Sequence, residues 1–181
     1  MAEPFKNTPP APEDKGAMTA SNIAAALAGE SQASQKYLAF SAVAEAEGYK
    51  NVARLFQAVA YAESTHARNH LSVLGAIGTT TENLKAAWGG ETFEIDEMYA
   101  AYGAVAKLQE NKSAQTTIRY AMEAEKDHQT LYNEVLAGVE DGKDCADVAV
   151  KVCPICGHTV LGDAPDECPV CGTAGSYFKE F

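Results

Sequence analysis

Apolar and polar residues between positions 19 and 140 alternate in steps of four and three, the pattern of helices that pack in a bundle. The segment is rich in Ala, Glu, Gln and Leu and contains no proline. Breaks in the pattern fall at Gly48, between Gly75 and Thr81, and near Asn111. The pattern therefore predicts four helices, over residues 19–47, 50–77, 82–110 and 113–139.

Charged residues interrupt the apolar seam of every predicted helix. The interruptions, in chain order, are Glu30, Glu63, His66, Glu91, Glu125 and His128. An ionised carboxylate is costly in a helical core unless it is paired or bound to a metal. Because the same departure from core patterning recurs in four helices, we expect these residues to carry the function.

The interruptions also form an internal repeat of two helical hairpins. Gly29-Glu30 precedes Glu63-x-x-His66 by 33 residues, and Gly90-Glu91 precedes a second Glu-x-x-His, at Glu125, by 34. A Glu and a His three residues apart share one helix face, and the turns place the two helices' ligands level with each other. Four Glu and two His form the ligand set of di-iron and di-manganese helical bundles. Glu94, one turn after Glu91, is either a further ligand or a surface residue.

Beyond residue 140 the composition changes to Cys, Pro, Gly and Val, which predicts a domain boundary. Two Cys-Pro-x-Cys-Gly knuckles follow, with ligands Cys153, Cys156, Cys168 and Cys171. This spacing predicts a tetrahedral four-sulfur site for iron or zinc, with each Gly allowing a tight turn. His158 is expected on the surface of the knuckle loop, and Tyr177, Phe178 and Phe181 are expected to cover the knuckles.

Charge and composition exclude several classes of function. The net charge of −11 argues against nucleic acid and against anionic membranes as partners. Residues 1–18, rich in Pro and charge, are expected to be a mobile tail without the apolar core of an export signal. We therefore expect a cytoplasmic protein, whose paired cysteines bind metal rather than form disulfides. Cys145 lies outside the knuckles and is expected to be an incidental thiol of the linker.

The motifs together resemble those of the rubrerythrin family. The matching segments are AGESQASQKY, AESTH, GETFEIDEMY, AEKDH and the two CPxCG knuckles, over about residues 19–181. The resemblance implies an all-α, four-helix ferritin-like bundle followed by a small rubredoxin-like metal-knuckle domain with short β-strands. The expected organisation is a tail at 1–18, a di-iron domain at 19–140, and a linker with the four-cysteine domain at 141–181.

The resemblance also implies roles for individual residues. Glu63 and Glu125 are expected to bridge two irons. Glu30 and Glu91 are expected to be terminal ligands. His128 ligates one iron, while His66 and Glu94 alternate on the other. Tyr37 and Tyr99 match tyrosines that lie beside the di-iron site in the family. The four knuckle cysteines hold a third iron, for which zinc is a possible substitute.

The function implied by the resemblance is reduction of hydrogen peroxide to water in oxidative-stress defence. Electrons come from NAD(P)H through a separate reductase or a rubredoxin and pass through the four-cysteine iron. The link between the second and third helices is short for a bundle in which those helices run parallel. We therefore expect a domain-swapped homodimer, in which the first two helices of one chain pack with the last two of another.

Other functions remain open on the sequence alone. A ferroxidase or iron-handling protein would use the same carboxylate and histidine ligands. A zinc-ribbon interaction module on a structural bundle would use the four cysteines without redox chemistry. An oxygenase acting on an organic substrate is the fourth alternative.

Overall fold

The computed structural model of the chain describes residues 16–181. Its long helices are α1 (Ala17–Ala46), α2 (Lys50–Val73), α3 (Thr80–Phe93), α4 (Tyr99–Leu108) and α5 (Lys112–Glu140). A π-helical segment, Glu94–Met98, joins α3 to α4, so these three elements together form the third predicted helix. Three short strands follow: β1 (Val150–Val152), β2 (Thr159–Leu161) and β3 (Lys179–Glu180). The four predicted helices and the short strands are thus all present.

The chain divides into two compact units, with the boundary after Gly78. The first unit holds α1 and α2, and the second holds every later element. This division falls inside the segment 19–140 that the sequence analysis treats as one domain, and those predicted bounds stay a prediction. The predicted tail lies mostly outside the described residues, and α1 begins at Ala17, so that it includes the last two residues of the expected tail.

Small residues form the contact between α1 and α2 in the first unit. Ser34 donates to the carbonyl of Ala60 and Ser41 to that of Ala53, both at 3.0 Å. All four residues are buried. Their small side chains let the two helices approach closely, and each hydroxyl finds an acceptor on the opposite backbone. These contacts fix the antiparallel register of the hairpin.

Local caps begin the helices of the second unit. The hydroxyl of Thr79 accepts the backbone N–H of Glu82 at 3.3 Å, while the Glu82 carboxylate accepts the backbone N–H of Thr79 at 2.7 Å. This capping box starts α3. The side chain of Asn111 accepts the N–H of Ala114 at 3.0 Å and starts α5. Both α3 and α4 pack along α5.

The four-cysteine domain is a three-stranded antiparallel sheet in the order β2-β1-β3. Within the second unit it packs on α5. Arg119 of α5 donates to the carbonyl of Val170 at 3.1 Å, and Tyr120 packs against the buried knuckle cysteines. Over residues 16–181, the helices are too short or too polar to cross a membrane.

Candidate metal centres

The first predicted ligand set comes together within the first unit. The Ser34–Ala60 contact sets an antiparallel register in which Glu30 lies opposite Ser64, a position between Glu63 and His66 along α2. Nδ1 of His66 is 2.9 Å from Oε2 of Glu63 and 3.9 Å from Oε1 of Glu30. One ligand atom of each residue lies within 4.8 Å of the other two. This cluster, Glu30, Glu63 and His66, is called set 1.

The second predicted ligand set repeats this geometry within the second unit. Nδ1 of His128 is 2.6 Å from Oε2 of Glu125 and 4.0 Å from Oε1 of Glu91. These ligand atoms also lie within 4.8 Å of one another. The cluster, Glu91, Glu125 and His128, is called set 2. In both sets Nδ1 of the histidine approaches the Glu three residues earlier and a Glu of a packed helix, which is α1 in set 1 and α3 in set 2, as the internal repeat predicts.

The donor atoms of each set fit a divalent cation. Two carboxylates and a neutral imidazole carry a formal charge of −2, and carboxylate with imidazole suits iron. Burial and the negative charge of Glu125 raise the pKa of Glu91 to about 7. Burial and the same charge also raise the pKa of Glu94. A bound cation would remove this repulsion, so the crowding of carboxylates itself fits a metal site.

Glu94 and Tyr99 lie beside set 2, at the two ends of the π-helical turn. Glu94 is the first residue of that turn and Tyr99 directly follows it. Burial and the charges of Glu94, Glu125 and Glu91 raise the pKa of Tyr99, so its phenol lies within the electrostatic range of the acidic cluster. π-helical turns are rare and concentrate at functional sites. Periodicity gave no signal for this turn, because one extra residue within a long helix leaves the seam recognisable on either side.

Tyr37 lies in an aromatic cluster of the first unit. Its ring centroid is 6.2 Å from that of Phe40 and 6.1 Å from that of Phe56. It follows Glu30 of set 1 by seven residues, which is two turns along the same helix. The structure thus gives Tyr37 a packing role, and its predicted role beside the metal stays a prediction.

The four knuckle cysteines come together as predicted. The Sγ atoms of Cys153 and Cys171 are 3.5 Å apart, as are those of Cys156 and Cys168, and all four lie within 4.8 Å of one another. A tetrahedron with metal–sulfur bonds of about 2.3 Å has edges of about 3.8 Å, so the group fits a four-sulfur metal site.

The backbone of the two knuckles is alike. The residues after the second cysteines, Gly157 and Gly172, have φ angles of 84° and 77°. Their N–H groups donate to the carbonyls of Cys153 and Cys168 at 3.0 and 2.9 Å. A residue with a side chain would be strained at these angles, which explains the glycine in each knuckle.

The environment of the thiols differs from one cysteine to the next. Burial raises the pKa of Cys156 and that of Cys168. Burial also acts to raise the pKa of Cys171, but hydrogen bonds from Thr173 and contacts with other knuckle thiols outweigh it and lower the value to about 6. A metal bound here would take all four sulfurs as thiolates and release protons.

His158 is buried, although the sequence analysis expected it on the surface of the knuckle loop. Its Nδ1 is 2.5 Å from Oδ2 of Asp127 on α5. The docking of the knuckle on a helix distant in sequence explains the difference. Phe178 covers the cysteines as predicted, whereas Tyr177 and Phe181 are mostly exposed.

Thr159 is a neighbour of the metal site that the sequence analysis missed. Its Oγ1 is 2.9 Å from Nε2 of His128, so the four-cysteine domain touches a ligand of set 2. The two residues are 31 positions apart in sequence, and no local pattern signals the contact. A cavity of about 330 Å³ adjoins it, lined by both residues and by Cys145 among others.

Two carboxylate–histidine sets on long helices, together with a C-terminal four-cysteine domain, define a helical metalloprotein of the ferritin-like type with a rubredoxin-like appendage. Comparison with known families agrees with this class. The rubrerythrin family profile matches residues 21–136, and the profile described as rubrerythrin, rubredoxin-like domain, matches residues 149–179. The chain belongs to the rubrerythrin family.

Individual relatives span nearly the whole chain. Rubrerythrin-2 of Clostridium acetobutylicum is 40% identical, over 92% of this chain and 98% of its own. Rubrerythrin of Porphyromonas gingivalis is 34% identical, over 91% and 90%. A nigerythrin structure in its fully reduced, all-ferrous state is 28% identical with a TM-score of 0.55, over 99% of this chain and 94% of its own. The predicted fold class is thereby confirmed.

Proposed function

We propose that this protein is a non-haem di-iron peroxidase that reduces hydrogen peroxide to water in oxidative-stress defence. Electrons would come from an NAD(P)H-linked reductase or a rubredoxin and pass through the iron of the four-cysteine domain. Membership of the rubrerythrin family and the three clusters of metal-binding side chains support this proposal. The all-ferrous nigerythrin supports iron as the metal.

One observation carries the redox assignment. The four-cysteine group and set 2 lie in the same compact unit, and both involve α5, where Tyr120 packs on the cysteines and His128 belongs to set 2. A four-sulfur iron transfers one electron at a time and is useful when it lies close to a second redox centre. A purely structural zinc domain would not need to touch a carboxylate–histidine cluster.

The balance of the reaction is one peroxide, two electrons and two protons for two waters. Two ferrous ions, one associated with each set, would supply the two electrons that cleavage of the O–O bond requires. The bridging carboxylates would be Glu63 and Glu125, with Glu30 and Glu91 as terminal ligands.

The remaining catalytic roles belong to side chains around the ligand sets. His66 and Glu94 would alternate as ligands of one iron. Tyr99 keeps its phenolic proton, because burial and neighbouring carboxylates raise its pKa, and its Oη would donate a hydrogen bond to the bound oxidant. The Oη of Tyr37 would donate a hydrogen bond to the oxidant from the side of set 1.

A domain-swapped homodimer is the assembly that we propose. Glu63 lies ten residues before the end of α2, and Glu91 lies eleven residues after the start of α3. At about 1.5 Å per residue, parallel helices with level ligands would need a link of about 30 Å. The seven peptide steps from Val73 to Thr80 reach about 25 Å when fully extended. Exchange of α1 and α2 between two chains removes this mismatch.

The test of the function is a reaction of reconstituted protein with peroxide. Protein loaded anaerobically with ferrous ion and then reduced should be reoxidised by hydrogen peroxide much faster than by oxygen, with two irons oxidised per peroxide. The matched comparison is a double variant that carries both Glu63→Gln and Glu125→Gln. It should retain the four-cysteine iron and lose the peroxide reaction. Faster turnover with oxygen and growth of a ferric mineral would instead support iron oxidation and storage. Zinc in the four-cysteine site, with no iron bound at the carboxylate sites, would support the zinc-ribbon interaction module.

A further inference from the structure

We propose that Thr159 is a positioning residue of the metal centre. Its hydroxyl fixes the ring orientation and tautomer of His128, and it connects the four-cysteine group to that ligand through hydrogen bonds. The electron-transfer part of this proposal rests on the proposed di-iron function. The positioning part rests only on metal binding by set 2.

The hydrogen-bond geometry determines which nitrogen of His128 carries the proton. Oγ1 of Thr159 is 2.8 Å from the carbonyl oxygen of Gly157 and 2.9 Å from Nε2 of His128. The hydroxyl has one hydrogen, which it donates to the carbonyl, because a carbonyl only accepts. Towards His128 the hydroxyl oxygen therefore offers a lone pair, and Nε2 carries the hydrogen that it donates.

This tautomer is the one that a metal at set 2 requires. With the hydrogen on Nε2, the lone pair of Nδ1 faces the carboxylates of Glu125 and Glu91, at 2.6 and 4.0 Å. A cation ligated by Nδ1 and Glu125 would explain the close approach of these two atoms. Hydrogen-bond partners of this kind orient metal-binding histidines and raise their affinity for the metal.

Thr159 is held rigidly enough to act on the ring. It begins β2 and pairs with Val152 of β1. The preceding residue, His158, is bound to Asp127, so two adjacent residues of the knuckle loop contact two adjacent residues of α5. This double contact fixes both the height and the rotation of the loop relative to the helix.

The same contacts form a short connection between the two metal sites. From Cys156 the chain passes to Gly157, whose carbonyl accepts from Thr159, and Thr159 in turn accepts from His128. Covalent bonds and two hydrogen bonds thus connect the four-cysteine group to set 2, with no step that must cross empty space. With iron bound at both sites, each transfer would oxidise the four-cysteine iron from ferrous to ferric and reduce an iron held by set 2 from ferric to ferrous. The reductase named above restores the four-cysteine iron, and two transfers serve one peroxide.

The experiment compares Thr159→Val with Thr159→Ser in full-length, iron-reconstituted protein. Valine keeps the shape and removes the hydroxyl, while serine keeps the hydroxyl. Thr130→Val is the matched control, because Thr130 lies on α5 and its hydroxyl donates to the carbonyl of Lys126. The first readout is ferrous affinity of the carboxylate sites, measured by competition with a chelator. The second is the rate at which electrons leave the four-cysteine iron, followed by its visible absorption in single-turnover mixing.

Thr159→Val should weaken ferrous affinity by about 10- to 100-fold and slow the transfer, as is usual for the loss of such a partner. Thr159→Ser should restore both, and Thr130→Val should change neither. Wild-type affinity and rate in Thr159→Val would overturn the proposal, and so would equal losses in the valine and serine variants. Because the affinity is measured without peroxide, a wild-type protein that fails to reduce peroxide would overturn the proposed function and leave this test intact.

Discussion

Replacing Glu91 with Gln should stabilise the metal-free protein and at the same time weaken its metal binding. In the folded chain, burial and the charge of Glu125 raise the pKa of Glu91 from its ordinary 4.5 to about 7. A group with a raised pKa in the folded state holds its proton more tightly there than in the unfolded state. Its contribution to stability is therefore fully present below about pH 4.5 and is lost as the pH rises through about 7.

The magnitude follows from this difference in pKa. Complete ionisation of Glu91 costs the folded state about 3 kcal/mol. Its side chain is 17% exposed, so solvent screening reduces the effect to about 1–2 kcal/mol. At pH 8 the Glu91→Gln variant should gain this amount, because its amide carries no charge. At pH 4.5 the gain should be close to zero, because Glu91 is then protonated in the folded wild-type protein.

The assay is chemical denaturation of protein whose carboxylate sites have been emptied with a chelator, at pH 4.5 and at pH 8. Glu97→Gln is the matched control, since Glu97 lies on the same helix but is exposed. Ferrous ion added at pH 8 should stabilise the wild-type protein strongly and the Glu91→Gln variant weakly. A Glu91→Gln variant that is less stable than the wild type at pH 8 without metal would refute the reasoning, because the carboxylate would then be stabilising rather than crowded.

Three further predictions test the remaining parts of the molecule. Cys156→Ser should abolish the visible band of the four-cysteine iron and turnover with the reductase. The chemically reduced variant should still react once with peroxide, and loss of that single reaction would contradict the assignment of peroxide reduction to the carboxylate sites alone. Asp127→Ala should leave the buried His158 without its partner and lower the free energy of unfolding by about 1–3 kcal/mol, as measured by denaturation, and an unchanged value would show that the contact does not stabilise the docking. Ala60→Leu should cost about 1–3 kcal/mol by overpacking the α1–α2 contact, where Ala60 is 1% exposed, and a thermal melt like that of wild type would contradict the close approach.

Helices, knuckles and ligand sets could be predicted from the sequence because their signals are local and repeated. A Glu-x-x-His pair needs only helical spacing to share a face, and the second copy at Glu125 makes chance agreement improbable. The glycines after Cys156 and Cys171 mark positive φ angles for the same local reason. In each hairpin, one short turn fixes which residues of the two helices are level.

Contacts between distant segments could not be predicted in the same way. The pairs His158–Asp127 and Thr159–His128 join residues 31 positions apart, and nothing near either residue indicates the partner. His158 therefore looked like an ordinary polar loop residue. The π-helical turn at Glu94 leaves no signal in the hydrophobic pattern, because it changes the direction of a few side chains without ending the helix.

The measurement that tests the account most directly is metal content together with the visible spectrum, before and after peroxide is added to the reduced, iron-reconstituted protein. The account predicts about three irons per chain, a rubredoxin-like band, and rapid return of that band as peroxide oxidises the protein. A chain that takes up no iron at its carboxylate sites, or that holds iron there and does not react with peroxide, would contradict it.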